Sequence, residues 1–175
     1  MKKLYYLFAF VLLIGACRKD QRTPLFDLAY PNFRFTIEAG ENPVLPGAYA
    51  IRGVATNINF FLSQNNTDTS AISEISPYTA TLRCLDGFDY TFAQEISVRI
   101  CEDGTDACTP ADEVFYIDQL QRYPEDDRIE LLPGLRNVER DLSRESYRLE
   151  IVVFFAFSPP VNYASQLDMV FRAYQ

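Results

Sequence analysis

The sequence predicts an all-β domain in which about nine strands form a single antiparallel sandwich of two packed sheets. Short stretches of alternating apolar and polar residues recur through residues 32–175, and turn-forming residues separate them. Hardly any stretch has helical periodicity. Phenylalanine and tyrosine are abundant, with 14 and 11 residues, whereas glycine contributes only seven. This composition and spacing favour two sheets packed face to face.

The first half of the domain contains five predicted strands, and in the first of them Phe33, Phe35 and Ile37 alternate with polar residues. The five strands lie at residues 33–38, 49–54, 58–62, 78–85 and 88–101. The last two flank Asp86-Gly87, a pair typical of a tight turn, and therefore predict a β-hairpin. An odd loop length keeps Leu82 and Phe92 on the same apolar face, which favours a three-residue loop or a bulge.

The second half contains four predicted strands and the one predicted helical turn. The strands lie at residues 114–120, 128–132, 147–157 and 167–173. The helical turn is expected within residues 137–145, where Asp141 or Ser143 can cap it. Apolar residues alternate from Tyr147 to Phe157, which predicts the longest strand of the chain.

The order of the predicted strands and the stretch from Leu142 to Tyr147 resemble immunoglobulin and fibronectin-type domains. Tyr147 stands where that family places the tyrosine of its tyrosine corner. The resemblance implies an immunoglobulin-like sandwich over most of residues 32–175. A jelly roll, which also packs two antiparallel sheets, is the alternative.

The N-terminus has two lysines, an uncharged apolar run from Leu4 to Ile14, and then Gly15-Ala16-Cys17. That run is shorter than the roughly 20 residues of a membrane-spanning helix. Residues 14–17 resemble the lipobox of bacterial lipoproteins, although isoleucine is less usual than leucine at the first position. The resemblance implies a signal peptide at residues 1–16 and a lipid-bearing N-terminus at Cys17. An ordinary secretory signal cleaved after Ala16 is the alternative.

The residues after Cys17 predict a destination. No aspartate follows the cysteine directly, so the resemblance implies the outer membrane of a Gram-negative bacterium. Lys19-Asp20 partly matches the signal of surface-exposed lipoproteins, which leaves both the periplasmic and the cell-surface face open. Residues 17–31 carry charges and two prolines. We therefore expect a tether there, ahead of a domain at residues 32–175, although its apolar side chains could dock on that domain.

Three cysteines follow Cys17, an odd number for an oxidising compartment. Alternation places Cys84 on a buried strand face and Cys101 on an exposed one, and a polar, turn-like loop joins Cys101 to Cys108. We therefore predict a Cys101–Cys108 disulfide and a free, buried Cys84.

Composition excludes several functions. Removal of residues 1–16 takes away two lysines and no acid, which changes the net charge from −8 to −10. Such a chain is unsuited to nucleic acid. It contains no histidine, so serine–histidine and cysteine–histidine catalysis are excluded. We expect a non-catalytic domain without a cofactor.

Acidic residues cluster around the predicted disulfide loop and near residue 126. They are Glu102, Asp103, Asp106, Asp112 and Glu113, with Glu125, Asp126 and Asp127 as a second group. Carboxylates at alternating loop positions can bind Ca²⁺, but this spacing matches no EF-hand. We expect solvated loops and no metal site.

An apolar surface is the one feature that predicts a partner. Beyond residue 150 the outward positions of the longest strand become apolar, and apolar residues continue into the next loop and strand. The predicted partner patch consists of Phe154, Val161, Tyr163 and Val170. Exposed apolar patches often mark partner sites. The alternative is that this strand is covered by the segment around Phe26 and Tyr30.

Together these features predict a lipid-anchored envelope protein whose β-sandwich binds a protein or glycan partner. The membrane is contacted only through the N-terminal lipid. The alternative is a structural or assembly subunit of an envelope complex or surface fibre, packed through an exposed edge strand.

Overall fold

The computed structural model describes residues 22–122 and 126–175. This part of the chain is all-β and antiparallel, with two short helices, α1 (Ile58–Gln64) and α2 (Glu139–Leu142). Its eight strands are β1 (Pro24–Ile37), β2 (Gly47–Ala55), β3 (Glu74–Cys84), β4 (Ala93–Glu102), β5 (Glu113–Ile117), β6 (Arg128–Pro133), β7 (Ser146–Phe155) and β8 (Tyr163–Tyr174). Three 3-10 turns lie at Thr69–Ala71, Pro110–Asp112 and Leu120–Arg122.

The predicted signal peptide and Cys17 lie outside the described residues. Within residues 22–122 and 126–175, no helix has both the length and the apolarity needed to cross a bilayer.

The strands follow the hydrogen-bonded order β1-β8-β3-β6-β5-β4-β7-β2, and every neighbouring pair is antiparallel. Only two residue pairs join β5 to β6, so the order consists of two four-stranded halves with a short junction. The edge strands β1 and β2 approach each other, because the rings of Phe35 and Tyr49 lie 5.3 Å apart. The arrangement therefore nearly closes into a barrel.

The core lies between the two halves. Phe115 of β5 contacts Phe171 of β8 at a ring separation of 5.4 Å, and Tyr30 of β1 contacts Tyr147 of β7 at 5.8 Å. The inward side chains of β7 and β8 stand at alternate positions and most of them are fully buried, although the outer face of β7 is largely buried as well. Each large apolar side chain buried in this way stabilises the fold by roughly 1.5–3 kcal/mol.

The first strand begins earlier than predicted, at Pro24, so residues 24–31 belong to the sheet and not to a tether. Phe26 and Tyr30 face the core, where they are 8% and 5% exposed. Pro31 is accommodated because the register with β8 shifts between Tyr30 and Phe33, and Asn32 adopts a φ of 68°. Proline is tolerated in a strand at such an irregularity on an edge.

Two local predictions were wrong. Residues 58–62 form the helix α1, because Ile58 and Leu62 are buried one helical turn apart. Strands β3 and β4 do not pair as a hairpin, since β3 pairs with β6 and β8, whereas β4 pairs with β5 and β7. The eight residues between them cross from one half to the other.

The described residues thus contain eight strands, not about nine. Their order differs from the immunoglobulin arrangement of strands ABED and CFG. The predicted tyrosine corner is also not formed, because the Tyr147 hydroxyl is buried without a hydrogen-bond partner among the described residues. Its ring packs against Tyr30 instead.

Candidate binding surface at the loop end

The strand connections divide between the two ends of the fold. We define the loop end as the β1–β2, β3–β4, β5–β6 and β7–β8 connections, described at residues 38–46, 85–92, 118–122 with 126–127, and 156–162. The N-terminal end contains the start of β1, residue 175 and the connections at 56–73, 103–112 and 134–145. Strand β8 runs between them and spans about 37 Å at ~3.4 Å per residue.

Hydrogen bonds hold three of the loop-end connections together. Gly40 N–H of the β1–β2 loop donates to Pro159 O of the β7–β8 loop at 2.9 Å. Ala156 N–H donates to Phe92 O at 2.8 Å, which joins the β7–β8 loop to the β3–β4 loop. The β5–β6 connection adjoins these loops, because its residues Leu120 and Gln121 line one cleft together with Tyr90 and Phe157. The loop end is therefore a single structural unit.

The β3–β4 loop is anchored by two aromatic residues. Phe92 is fully buried and its ring lies 4.3 Å from that of Tyr163. Tyr90 is also buried, and its hydroxyl donates to Ser165 Oγ at 2.9 Å. Because these rings fix the loop from inside, its tip can present Phe88 to solvent, where it is 47% exposed.

Exposed large apolar side chains are concentrated at this end. Six of the ten in the described part of the chain lie on its loops: Val44, Leu45, Leu85, Phe88, Phe157 and Val161. Only Phe60 and Leu135 lie at the N-terminal end, and Tyr78 is covered on one side by the guanidinium of Arg172. Scattered apolar residues are normal on a protein surface, whereas a concentration on converging loops indicates a binding surface.

A cleft of about 490 Å³ opens at the loop end beside Phe157. Its volume lies within the range of small-ligand sites. The apolar walls are formed by Tyr90, Ile117, Leu120, Ile129 and Phe157, and the polar lining by Thr91, Gln121, Asp126, Arg128 and Glu130. A second depression, of about 740 Å³, lies at the N-terminal end beside Arg22, Glu74 and Leu135.

The loop end carries uncompensated negative charge. Its described residues include one arginine and seven carboxylates: Arg122, Glu38, Glu41, Asp86, Asp89, Asp118, Asp126 and Asp127. None of these carboxylates forms an ion pair with a described residue. The connections of the N-terminal end also contain seven carboxylates, but they carry three arginines, of which Arg136 pairs with Asp112 and Asp141, and Arg144 pairs with Glu102 of β4.

Three titratable groups in or next to the loop end, Asp89, Tyr90 and Tyr163, have shifted pKa values, and burial raises the pKa of Tyr90. Hydrogen bonds from the Thr91 hydroxyl and backbone N–H lower the pKa of Asp89, which is therefore charged at neutral pH. Burial, with a smaller contribution from Asp89, raises the pKa of Tyr163. Asp89 thus keeps its negative charge, while the phenols of Tyr90 and Tyr163 beneath it stay neutral.

The predicted partner patch is not a single surface. Tyr163 is a core residue, 4% exposed, in contact with Phe92. Phe154 and Val170 are partly buried on outer faces of different halves, because β7 and β8 belong to different halves. Of the four residues, only Val161 lies on an exposed loop of the loop end. Strand alternation alone does not reveal which sheet each strand joins.

The predicted disulfide is present, and Cys84 is free and buried. Cys101 lies on the outer face of β4, as alternation predicts, but the loop to Cys108 folds back over that face and both cysteines are buried. Beneath this loop lie Arg148 and Glu150 of β7, 6% and 4% exposed. Arg148 Nη2 donates to Glu150 Oε2 at 2.9 Å.

Most acids around the disulfide loop serve the fold. Asp103 Oδ1 accepts a hydrogen bond from Gly53 N–H, Glu113 accepts one from Ser97 Oγ, and Asp112 caps the turn before β5. Within the two described ranges, no three acidic or cysteine side chains are grouped so as to hold a metal ion.

Sequence reasoning missed most of the loop-end surface. Val44 and Leu45 lie between two prolines, Phe88 follows Asp86-Gly87, and Phe157 precedes two prolines after one serine. A large apolar residue inside a proline- or glycine-containing connection was the available signal, since such connections lie on the surface.

No family model matches the chain, and no curated protein matches it. Among solved structures it is similar to the nora virus structure, with 12% identity, a TM-score of 0.34 and coverage of 89% of this chain. It spans about 62% of the length of that protein. It is also similar to the structure of Cocksfoot mottle virus, with 11% identity and a TM-score of 0.30. That similarity covers 91% of this chain and 88% of the viral chain. Similarity at this level carries no argument about function.

Proposed function

We propose that this chain is a lipid-anchored protein of the Gram-negative outer membrane whose non-catalytic β-domain binds a protein or glycan partner through the loop end. The observation that carries the proposal is the concentration of exposed apolar side chains on the converging loops of that end. Rigid strands that present binding residues on loops are a common arrangement for recognition.

The position of the N-terminus supports this proposal. Strand β1 begins at the end opposite the loops. Only six residues lie between Cys17 and Pro24, and the seven steps from one to the other span at most about 25 Å when extended. A lipid on Cys17 would therefore hold the N-terminal end near the bilayer, so that the loop end faces away from the membrane.

We further propose that the fold is a two-sheet jelly roll. Strands β1-β8-β3-β6 and β5-β4-β7-β2 would be its sheets, and their inner aromatic residues meet across the core. Eight strands in two interlocking Greek keys are typical of that architecture. In a jelly roll, the β1–β2, β3–β4, β5–β6 and β7–β8 connections lie at the same end. These four connections form the loop end, so the proposed architecture explains why they are close together.

The test is photo-crosslinking in intact cells. A photoreactive amino acid replaces Phe88 or Phe157 at the loop end, with Phe60 and Leu135 at the N-terminal end as exposed apolar controls. We expect protein or glycan adducts from the two loop-end positions and not from the controls. Equal adduct formation from all four positions, or none from the loop end, would contradict the proposal.

The alternative role, assembly through an edge strand, has less support. Strands β1 and β2 each have one free edge, but both contain register shifts. Such irregularities are typical of edges that are protected against further pairing. A concentration-dependent oligomer that survives serine substitution at Phe88 and Phe157 would favour assembly over loop-end recognition.

A further inference from the structure

We infer that the partner of the loop end is a polypeptide that presents basic side chains next to apolar ones. The inference rests on the proposed function and specifies the chemistry of its partner. It is carried by two properties that occur together on the same loops, the exposed apolar side chains and the carboxylates without ion pairs.

The apolar side chains define where the partner binds. Phe88 and Phe157 are each about half exposed, and Leu45 is 64% exposed. They lie on three different connections of the loop end. Buried aromatic and aliphatic anchors provide much of the affinity at protein interfaces. A partner that covers this surface must therefore bring apolar groups of its own.

The charge selects among partners with apolar groups. The described loop-end connections hold six of the ten net negative charges of the described chain, although they make up only about a fifth of its residues. Glu38 and Asp118 are exposed and accept no hydrogen bond from described residues. Complementary charge at the rim of an interface speeds association and excludes wrong partners.

The same charge disfavours the other classes. Anionic lipid headgroups and acidic glycans would meet like charge at this end. A neutral glycan would leave the unpaired carboxylates without a counter-charge. A basic and apolar polypeptide satisfies both properties of the surface.

The test uses the full chain with Cys17→Ser and three synthetic peptides of equal length. All three peptides have Leu and Phe at the same positions. The remaining positions are Lys in the first peptide, Gln in the second and Glu in the third. Binding is measured by fluorescence anisotropy at low and high salt. The loop-end variant is Glu38→Gln/Asp86→Asn/Asp118→Asn/Asp126→Asn, in which each amide keeps an acceptor oxygen. The matched control removes four carboxylates at the N-terminal end, Asp68→Asn/Asp106→Asn/Glu139→Gln/Glu145→Gln.

We expect the Lys peptide to bind and the Glu peptide not to bind. The affinity for the Lys peptide should fall about tenfold in the loop-end variant and with added salt, but less than about twofold in the control variant. Equal binding of the Lys and Gln peptides would overturn the inference, as would equal losses in both variants. Loop-end adducts to glycan, or a glycan-array signal lost in the loop-end variant, would overturn it while the proposed function still stands.

Discussion

Removal of the Cys101–Cys108 disulfide should destabilise the domain by an amount that can be worked out from its ring. The two cysteines are seven positions apart, so the bond closes a ring of eight residues. In the chain-entropy model, closure of so short a ring stabilises a folded chain by about 2.5 kcal/mol at 25 °C. The closed loop also covers Arg148 and Glu150, whose burial depends on its position.

The assay is urea unfolding of the full chain and of the Cys101→Ser/Cys108→Ser variant, each with and without reductant. We expect the free energy of unfolding to fall by about 2.5 kcal/mol in the variant. Reductant should lower the free energy of unfolding of the native chain by a similar amount and leave the free energy of unfolding of the variant unchanged. Cys84→Ala is the control, because its thiol is free and reductant should affect it like the native chain. A native chain with the same stability in both buffers would refute the reasoning.

Other predictions concern buried polar groups. Tyr30→Phe should cost about 1–3 kcal/mol, because the Tyr30 hydroxyl donates to Thr56 O in the core at 2.6 Å and the carbonyl would lose its partner. Tyr147→Phe should be neutral or stabilising, since its hydroxyl has no partner among the described residues. Urea unfolding measures both variants, and a larger loss for Tyr147→Phe than for Tyr30→Phe would contradict these assignments. Arg148→Met should cost about 3–5 kcal/mol in urea unfolding, because it leaves the Glu150 carboxylate buried without its counter-charge. If Arg148→Met/Glu150→Leu is as unstable as the single variant, charge burial is not the cause.

Much of the fold could be predicted from local alternation. The stretches that became β6 and β8 alternate over most of their length, and the inner face of β7 carries apolar residues at every second position. The same parity argument placed Cys101 on the outer face of β4. The early start of β1 was missed, because Pro24 and Pro31 look like linker residues unless a bulge absorbs them. Helix α1 was missed because five apolar-rich residues satisfy a strand and a helical turn equally well.

The pairing of strands could not be predicted from the same signals. Asp86-Gly87 does make a turn, with a φ of 75° at Gly87, but Tyr90 and Phe92 then enter the core and direct β4 to the other half. Which strands share a sheet depends on such long-range contacts. The loop-end surface depends on them too, since the β3–β4 and β7–β8 connections, which carry Phe88 and Phe157, meet only when the chain crosses between the halves.

The most direct test of the two-ended arrangement is the distance of each end from the membrane. A fluorophore is attached at Leu135 of the N-terminal end or at Val161 of the loop end, on an otherwise native chain in its own membranes, and energy transfer to labelled lipid headgroups is measured. We predict strong transfer from position 135 and weak transfer from position 161, because the strands separate the ends by about 37 Å. Equal transfer from both positions, or stronger transfer from position 161, would contradict a loop end that faces away from the membrane to meet a partner.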